Sequence, residues 1–213
     1  KPKIGIIALG HEAYWSQFEG LKEELSVKSV DFAGYFNPEK VDIVMLGFAD
    51  GVDKSFEAVK ECKRADLDAL FIVLTTYVTS STAMPFAVYL DIPQVLVGIQ
   101  PLDRLDYKNT TTYMQLANDD ICAMPEIAGV YSRFGRKTPH MLVSAYSRHE
   151  EIQRQVDIWQ SALCAAGAFK YSTIGYLGHT YEGMYDMHTD PGAVTRTLGC
   201  HVKMLEMCEL AEY

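Results

Sequence analysis

The chain has 213 residues, 48% apolar and 22% charged, the balance of a globular protein and not of a disordered or collagen-like one. No apolar run reaches the ~18 residues that a membrane-spanning helix needs, and a formal net charge of −9 argues against a nucleic-acid partner. Five scattered cysteines (Cys62, Cys122, Cys164, Cys200, Cys208) match neither a disulfide framework nor a metal knuckle and read as reduced thiols of a cytoplasmic protein. The opening Lys1-Pro2-Lys3-Ile4-Gly5 lacks the cleavage site of a signal peptide.

In chain order, Lys3–Leu9 reads as a buried strand ended by Gly10, followed by a helix from about Tyr14 to Leu25 with Phe18, Leu21 and Leu25 on one face and Glu23 and Glu24 on the solvated one. Val41–Phe48 is a second strand, and Asp53 reads as the N-cap of a helix running to about Arg64. Ala69–Leu74 is wholly apolar, the mark of a central parallel strand covered on both faces. Ser80–Leu90 is helical despite Pro85, with Thr79 or Ser80 as its cap, and Gln94–Ile99 is the next strand. Asn118–Phe134 reads as a helix, His140–Ser144 as a strand and Glu150–Ala166 as an amphipathic helix. Repeated strand–helix alternation predicts a doubly wound, mostly parallel, flavodoxin-like α/β sheet over residues 1–168. Tyr171–Leu177, a short helix over Gly192–Leu198 and a strand over His201–Met207 are too few to bury a core. They are expected to open a second, incomplete α/β domain over 169–213, so that the chain reads as the N-terminal part of something longer.

The first turn, Gly10-His11-Glu12-Ala13-Tyr14-Trp15, is too bulky to cradle a pyrophosphate or flavin phosphate, and no Walker A or G-x-S-x-G motif is present. In open α/β sheets, ligands bind beyond the carboxyl ends of the strands. Those ends carry His11, Glu12, Tyr14, Trp15 and Gln17; then Thr75, Thr76, Tyr77, Thr79, Ser80 and Ser81; then Gln100, Pro101, Asp103 and Arg104. A fourth loop carries His179, Thr180, Tyr181, Glu182, Met184, Tyr185 and Asp186. Hydroxyls, amides and aromatic rings dominate, a mixture suited to a neutral polyhydroxylated ligand. Each loop alone is an ordinary turn or cap; four loops on one sheet edge are what favour a site. The stretch His179–Asp190 holds two histidines and three carboxylates, open to reading as metal ligands or as a polar loop.

Ile4–Trp15, Phe71–Met84, Val97–Tyr107, Ile174–Met187 and Leu198–Leu210 together resemble the N-terminal part of the arabinose/fucose isomerase family, in its arabinose-isomerase-like branch. The resemblance implies a metal-dependent aldose–ketose isomerase, with a divalent metal, typically Mn2+, whose ligands and acid–base groups lie beyond Tyr213. No catalytic or metal-binding residue is expected within this chain. The implied substrate-binding set is His11, Tyr14, Tyr77, Gln100, Tyr181 and Met184, with Gly98-Ile99-Gln100 standing where the family has His-Thr-Gln. The resemblance also implies a homo-oligomer, a trimer or hexamer in which this region closes a neighbour's active site. A non-catalytic sugar-binding module is the other reading of the same loops.

Overall fold

The computed structural model describes residues 1–211. The chain divides into two compact units, one ending at Gln160 and one starting at Ser161. The first unit is built on β1 (Lys3–Leu9), β2 (Asp42–Ala49), β3 (Ala69–Leu74), β4 (Gln94–Gln100) and β5 (His140–Ala145). All are parallel, in the order β2-β1-β3-β4-β5. This is the doubly wound α/β order of flavodoxin-like sheets.

Its helices are α1 (Leu21–Ser26), α2 (Lys28–Ala33), α3 (Val52–Ala65), α4 (Ser80–Tyr89), α5 (Thr112–Ala117), α6 (Met124–Arg133) and the first part of α7 (His149–Lys170). Every residue of β3 is buried, because a parallel strand between crossover helices has no solvent face. Alternation then sends Leu70, Ile72 and Leu74 to a core with Val59 and Cys62 of α3, Phe86 of α4, and Ile127 and Tyr131 of α6. Phe71 points the other way, into rings of Phe32, Phe36 and Trp159 at centroid distances of 5.8, 5.1 and 6.0 Å. Each such buried side chain contributes about 1.5–3 kcal/mol of transfer free energy. A smaller apolar cluster joins Leu21 and Leu25 to Leu116 and Ala117, with Tyr14, Trp15 and Phe18 packed on it.

The strands fall where the apolar runs place them; the helices differ in three places. The single helix expected over Tyr14–Leu25 is a 3-10 turn (Glu12–Tyr14) followed by α1 and α2, because Gly20 takes φ 81° and interrupts it. Asp53 is not the N-cap of α3: Gly51 is, and Asp53 lies in the first turn, where the helix dipole favours its charge. The stretch Asn118–Phe134 is helical only over α6, and α5, which ends just before it, is not among the elements expected from sequence. Asn118 ends α5 by spending its side chain on backbone, Nδ2 donating to Met114 O at 2.8 Å and Oδ1 accepting Leu102 N–H at 2.9 Å. Pro125 then sits at the start of α6, where its missing N–H costs nothing.

The second unit holds the rest of α7, β6 (Thr173–Leu177), α8 (Pro191–Leu198), β7 (His201–Leu205) and α9 (Met207–Leu210). β6 and β7 pair in parallel, with Thr173 opposite His201 and Leu177 opposite Leu205. Asp190 caps α8 by accepting Gly192 N–H at 2.8 Å, and Gly199 closes the helix at φ 76°. Every residue of β6 is exposed, as expected of two strands with one covering helix. Among the described residues, no helix is long and apolar enough to cross a membrane.

Gly98 lets the start of α6 and the segment before it approach β4 closely. A Cβ there would lie 2.7 Å from Met124 Cε and 3.1 Å from the Asp120 carbonyl oxygen. Gly98→Ala is expected to destabilise the first unit by about 1–3 kcal/mol, read from the urea midpoint followed by near-ultraviolet circular dichroism. An unchanged midpoint contradicts the packing described.

Candidate functional site

After β1 the chain leaves toward the face that carries α2; after β3 it leaves toward the face that carries α4. Neighbouring strands whose connections part in this way leave a crevice at their carboxyl ends. Gly10 permits the turn after β1, since a Cβ there would lie 2.5 Å from the Phe48 ring and 2.9 Å from that of Trp15. His11 follows, half-buried, with its ring edge-on to Tyr14 at 5.0 Å and to Tyr77 at 6.4 Å. Three rings, two from one side of the crevice and one from the other, thus converge.

Tyr77 is fixed from a third element. Its hydroxyl donates to Glu126 Oε2 at 2.9 Å, while Glu126 Oε1 accepts the Ser80 N–H at 2.8 Å. Glu126, from α6, therefore caps α4, the role the sequence assigns to Thr79 or Ser80. Thr79 uses its hydroxyl on Ser81 and Thr82 instead. Burial opposes ionisation of Glu126, but the bonds from Ser80 and Tyr77 outweigh it and hold the carboxyl below its usual range. The same contact raises the Tyr77 phenol, and burial, with Asp119 and Cys122 nearby, raises that of Tyr14.

Beneath the crevice lies Lys28, only 6% exposed. Its Nζ donates to Thr75 O at 2.9 Å, Ala117 O at 2.9 Å and Asp120 Oδ1 at 2.5 Å, satisfying all three N–H donors. Burial pushes the Asp120 carboxyl up to about 7 against the opposing pull of Lys28, and lowers Lys28 against that of Asp120. Asp120 Oδ2 and Thr76 Oγ1 are buried without a hydrogen-bond partner among the described residues. Asp50, at the end of β2, is 1% exposed and takes Trp15 Nε1 at 2.8 Å, Lys22 Nζ at 2.9 Å and Lys54 Nζ at 2.5 Å. Its burial favours the neutral form, but these three donors prevail and hold it at about 2.

Of the residues singled out from sequence, His11, Tyr14 and Tyr77 meet at the crevice. Gln100 ends β4 on the same carboxyl edge, donating from Nε2 to Asn118 O at 3.0 Å, and lines a neighbouring cleft of about 460 Å3. Tyr181 and Met184 belong to the second unit and are 71% and 48% exposed, with the Tyr181 ring folded over Gly183. In the stretch His179–Asp190, His179 meets Glu206 at 3.0 Å, His188 lies against Tyr185, and Asp190 caps α8. Among the described residues, no three His, Cys, Asp or Glu side chains gather as a metal cage. Lys28, Asp120 and Glu126 are not among the residues the sequence singles out, and the adjacent pair Asp119-Asp120 is the local signal near them.

No family model matches the chain, and no curated protein matches it. Among solved structures it is similar to the crystal structure of Streptococcus suis SuiB, at 13% identity and a TM-score of 0.31, over 95% of this chain and 49% of that one. The chain thus spans about half the length of that protein, and a likeness this low carries no argument. The class stands on the chain's own topology, a doubly wound α/β fold.

The two buried carboxylates link stability to pH with opposite signs. Asp120, at about 7 when folded and near 4 when unfolded, keeps a proton between these values that the unfolded chain has released. Stability from this group therefore falls as pH rises from 4 to 7, and Asp120→Asn is expected to flatten that slope in urea melts. Asp50, at about 2, contributes about 2 kcal/mol at neutral pH that is lost as pH falls from 4 toward 2. Asp50→Asn is expected to remove this acid limb; an unchanged limb contradicts the assignment.

Proposed function

We propose that the carboxyl edge of the first unit is the sugar-binding face of a metal-dependent aldose–ketose isomerase of the arabinose/fucose type. The observation that carries the reading is the convergence of His11, Tyr14 and Tyr77 on the switch-point crevice, with Gln100 on the same edge. Aromatic rings cover the apolar face of a sugar, while imidazole, phenol and amide groups match its hydroxyls. The proposed location is the cytoplasm, and the proposed assembly a homo-oligomer in which this edge completes a neighbour's site.

The isomerase reaction uses a divalent metal such as Mn2+ to hold the carbonyl and adjacent hydroxyl while a base moves the proton. The described residues do not fit that ion, having no three-ligand group, so the side chains of this edge are assigned binding and orientation only. One feature favours a second reading, a sugar-binding module without catalysis: Glu126, the carboxylate at the crevice, is engaged by two donors and held in its charged form.

Titration calorimetry with arabinose and fucose tests the sugar-binding face that both readings share. Tyr14→Ala and Tyr77→Ala are each expected to weaken sugar binding about fivefold or more, the loss of one aromatic contact. Affinity unchanged by both substitutions contradicts the proposal.

A further inference from the structure

Glu126 does more than cap α4, because its second oxygen decides where the Tyr77 hydroxyl sends its proton. A phenol has one proton to donate and lone pairs to accept with. Tyr77 gives that proton to Glu126 Oε2 at 2.9 Å. Glu126 has none to return. Although burial works against it, the bonds from Ser80 and Tyr77 hold its carboxyl below the usual range, so at neutral pH it is a carboxylate and only accepts. Its place is fixed from behind as well: Oε1 accepts the Ser80 N–H at 2.8 Å, and a backbone N–H can only donate.

The Tyr77–Glu126 bond lies at the exposed surface of the crevice, so the free lone pairs of the phenol are within a ligand's reach. Tyr14, from the other side of the crevice, has no such anchor. Among the described residues its ring meets His11 and Trp15 and its hydroxyl makes no hydrogen bond. The two phenols therefore differ in kind: Tyr14 can donate or accept, and Tyr77 can only accept. A ligand hydroxyl satisfies Tyr77. A carbonyl, an ether or a fluorine has no proton to give and meets lone pairs instead, and a phosphate or carboxylate meets the negative charge of Glu126 besides.

We propose that Glu126 is a positioning residue that sets Tyr77 as a hydrogen-bond acceptor, so that this wall of the crevice selects neutral ligands offering a hydroxyl donor. The polarity rests on the two hydrogen bonds of Glu126; its use on a carbohydrate rests on the sugar-binding reading. In an aldose–ketose pair the reacting carbonyl only accepts, so Tyr77 grips a hydroxyl that substrate and product share and does not hold the carbonyl. Glu126→Gln reverses the polarity without removing the cap. The Ser80 N–H must take the amide oxygen, which leaves the amide NH2 against Tyr77. That group donates to the phenol oxygen, and the phenol proton is released to the ligand.

Two measurements test the proposal. The first is the titration of the tyrosine phenols by NMR of carbon-labelled tyrosine, with Tyr77 and Tyr14 assigned by substitution to Phe. The bond to Glu126 raises the Tyr77 phenol in the wild type. In Glu126→Gln it is expected to titrate at least about one pH unit lower, while the Tyr14 phenol stays where it was. A Tyr77 titration that does not fall overturns the proposal whatever the ligand. The second is calorimetry with arabinose and its singly deoxyfluorinated analogues, in which fluorine replaces one hydroxyl and cannot donate. One analogue is expected to bind the wild type about fivefold more weakly than arabinose, and that penalty to shrink in both Tyr77→Phe and Glu126→Gln. Penalties equal in all three proteins overturn the proposal and leave the sugar-binding crevice standing. No arabinose binding, with the Tyr77 titration lowered as expected, overturns the carbohydrate reading and upholds the acceptor polarity of Tyr77.

Discussion

One buried ammonium holds the carboxyl edge of this sheet together. Lys28, the first residue of α2, reaches the end of β3 through Thr75 O, the end of α5 through Ala117 O, and the segment before α6 through Asp120. Burying a charge is costly, and the cost is offset only when every donor has an acceptor at good distance. Here all three do. Each buried acceptor left without its donor typically costs about 1–3 kcal/mol. Thr75 extends the tie, with both its N–H and its hydroxyl donating to Leu9 O at 3.1 and 2.8 Å, so the ends of β1 and β3 are locked beneath the crevice.

For the proposed binding face, the consequence is preorganisation. His11 and Tyr14 follow directly from the locked end of β1, Tyr77 from that of β3, and Glu126 holds Tyr77 from a third element. For the ligand proposed above, the Tyr77 ring is held before binding, so the entropy cost of ordering it is already met. The edge also divides chemically. Aromatic rings sit where β1 and β3 part, and guanidinium groups sit where β4 and β5 run together.

The strands were legible because buried parallel strands are written as short apolar runs; β1 and β3 match them residue for residue. Helix ends were less so where a single residue acts through conformation or side chain, as Gly20, Asn118 and Pro125 do. The crevice was half visible: His11, Tyr14 and Tyr77 stand at strand ends that topology unites. Lys28 was invisible, because a lysine between two short helices reads as a solvated charge, and its partner Asp120 lies 92 positions away. Glu126 likewise caps a helix that begins 46 residues before it. Such long-range polar pairings leave no periodic trace.

Hydrogen–deuterium exchange on Lys28→Met measures the role of the buried ammonium most directly. If it fastens the edge, amides of residues 117–123 and of Thr76 and Tyr77 exchange at least about tenfold faster, while those in the middle of β1, β3 and β4 keep their protection. Protection of 117–123 unchanged from the wild type would contradict that role, because the edge would then be held by apolar packing alone.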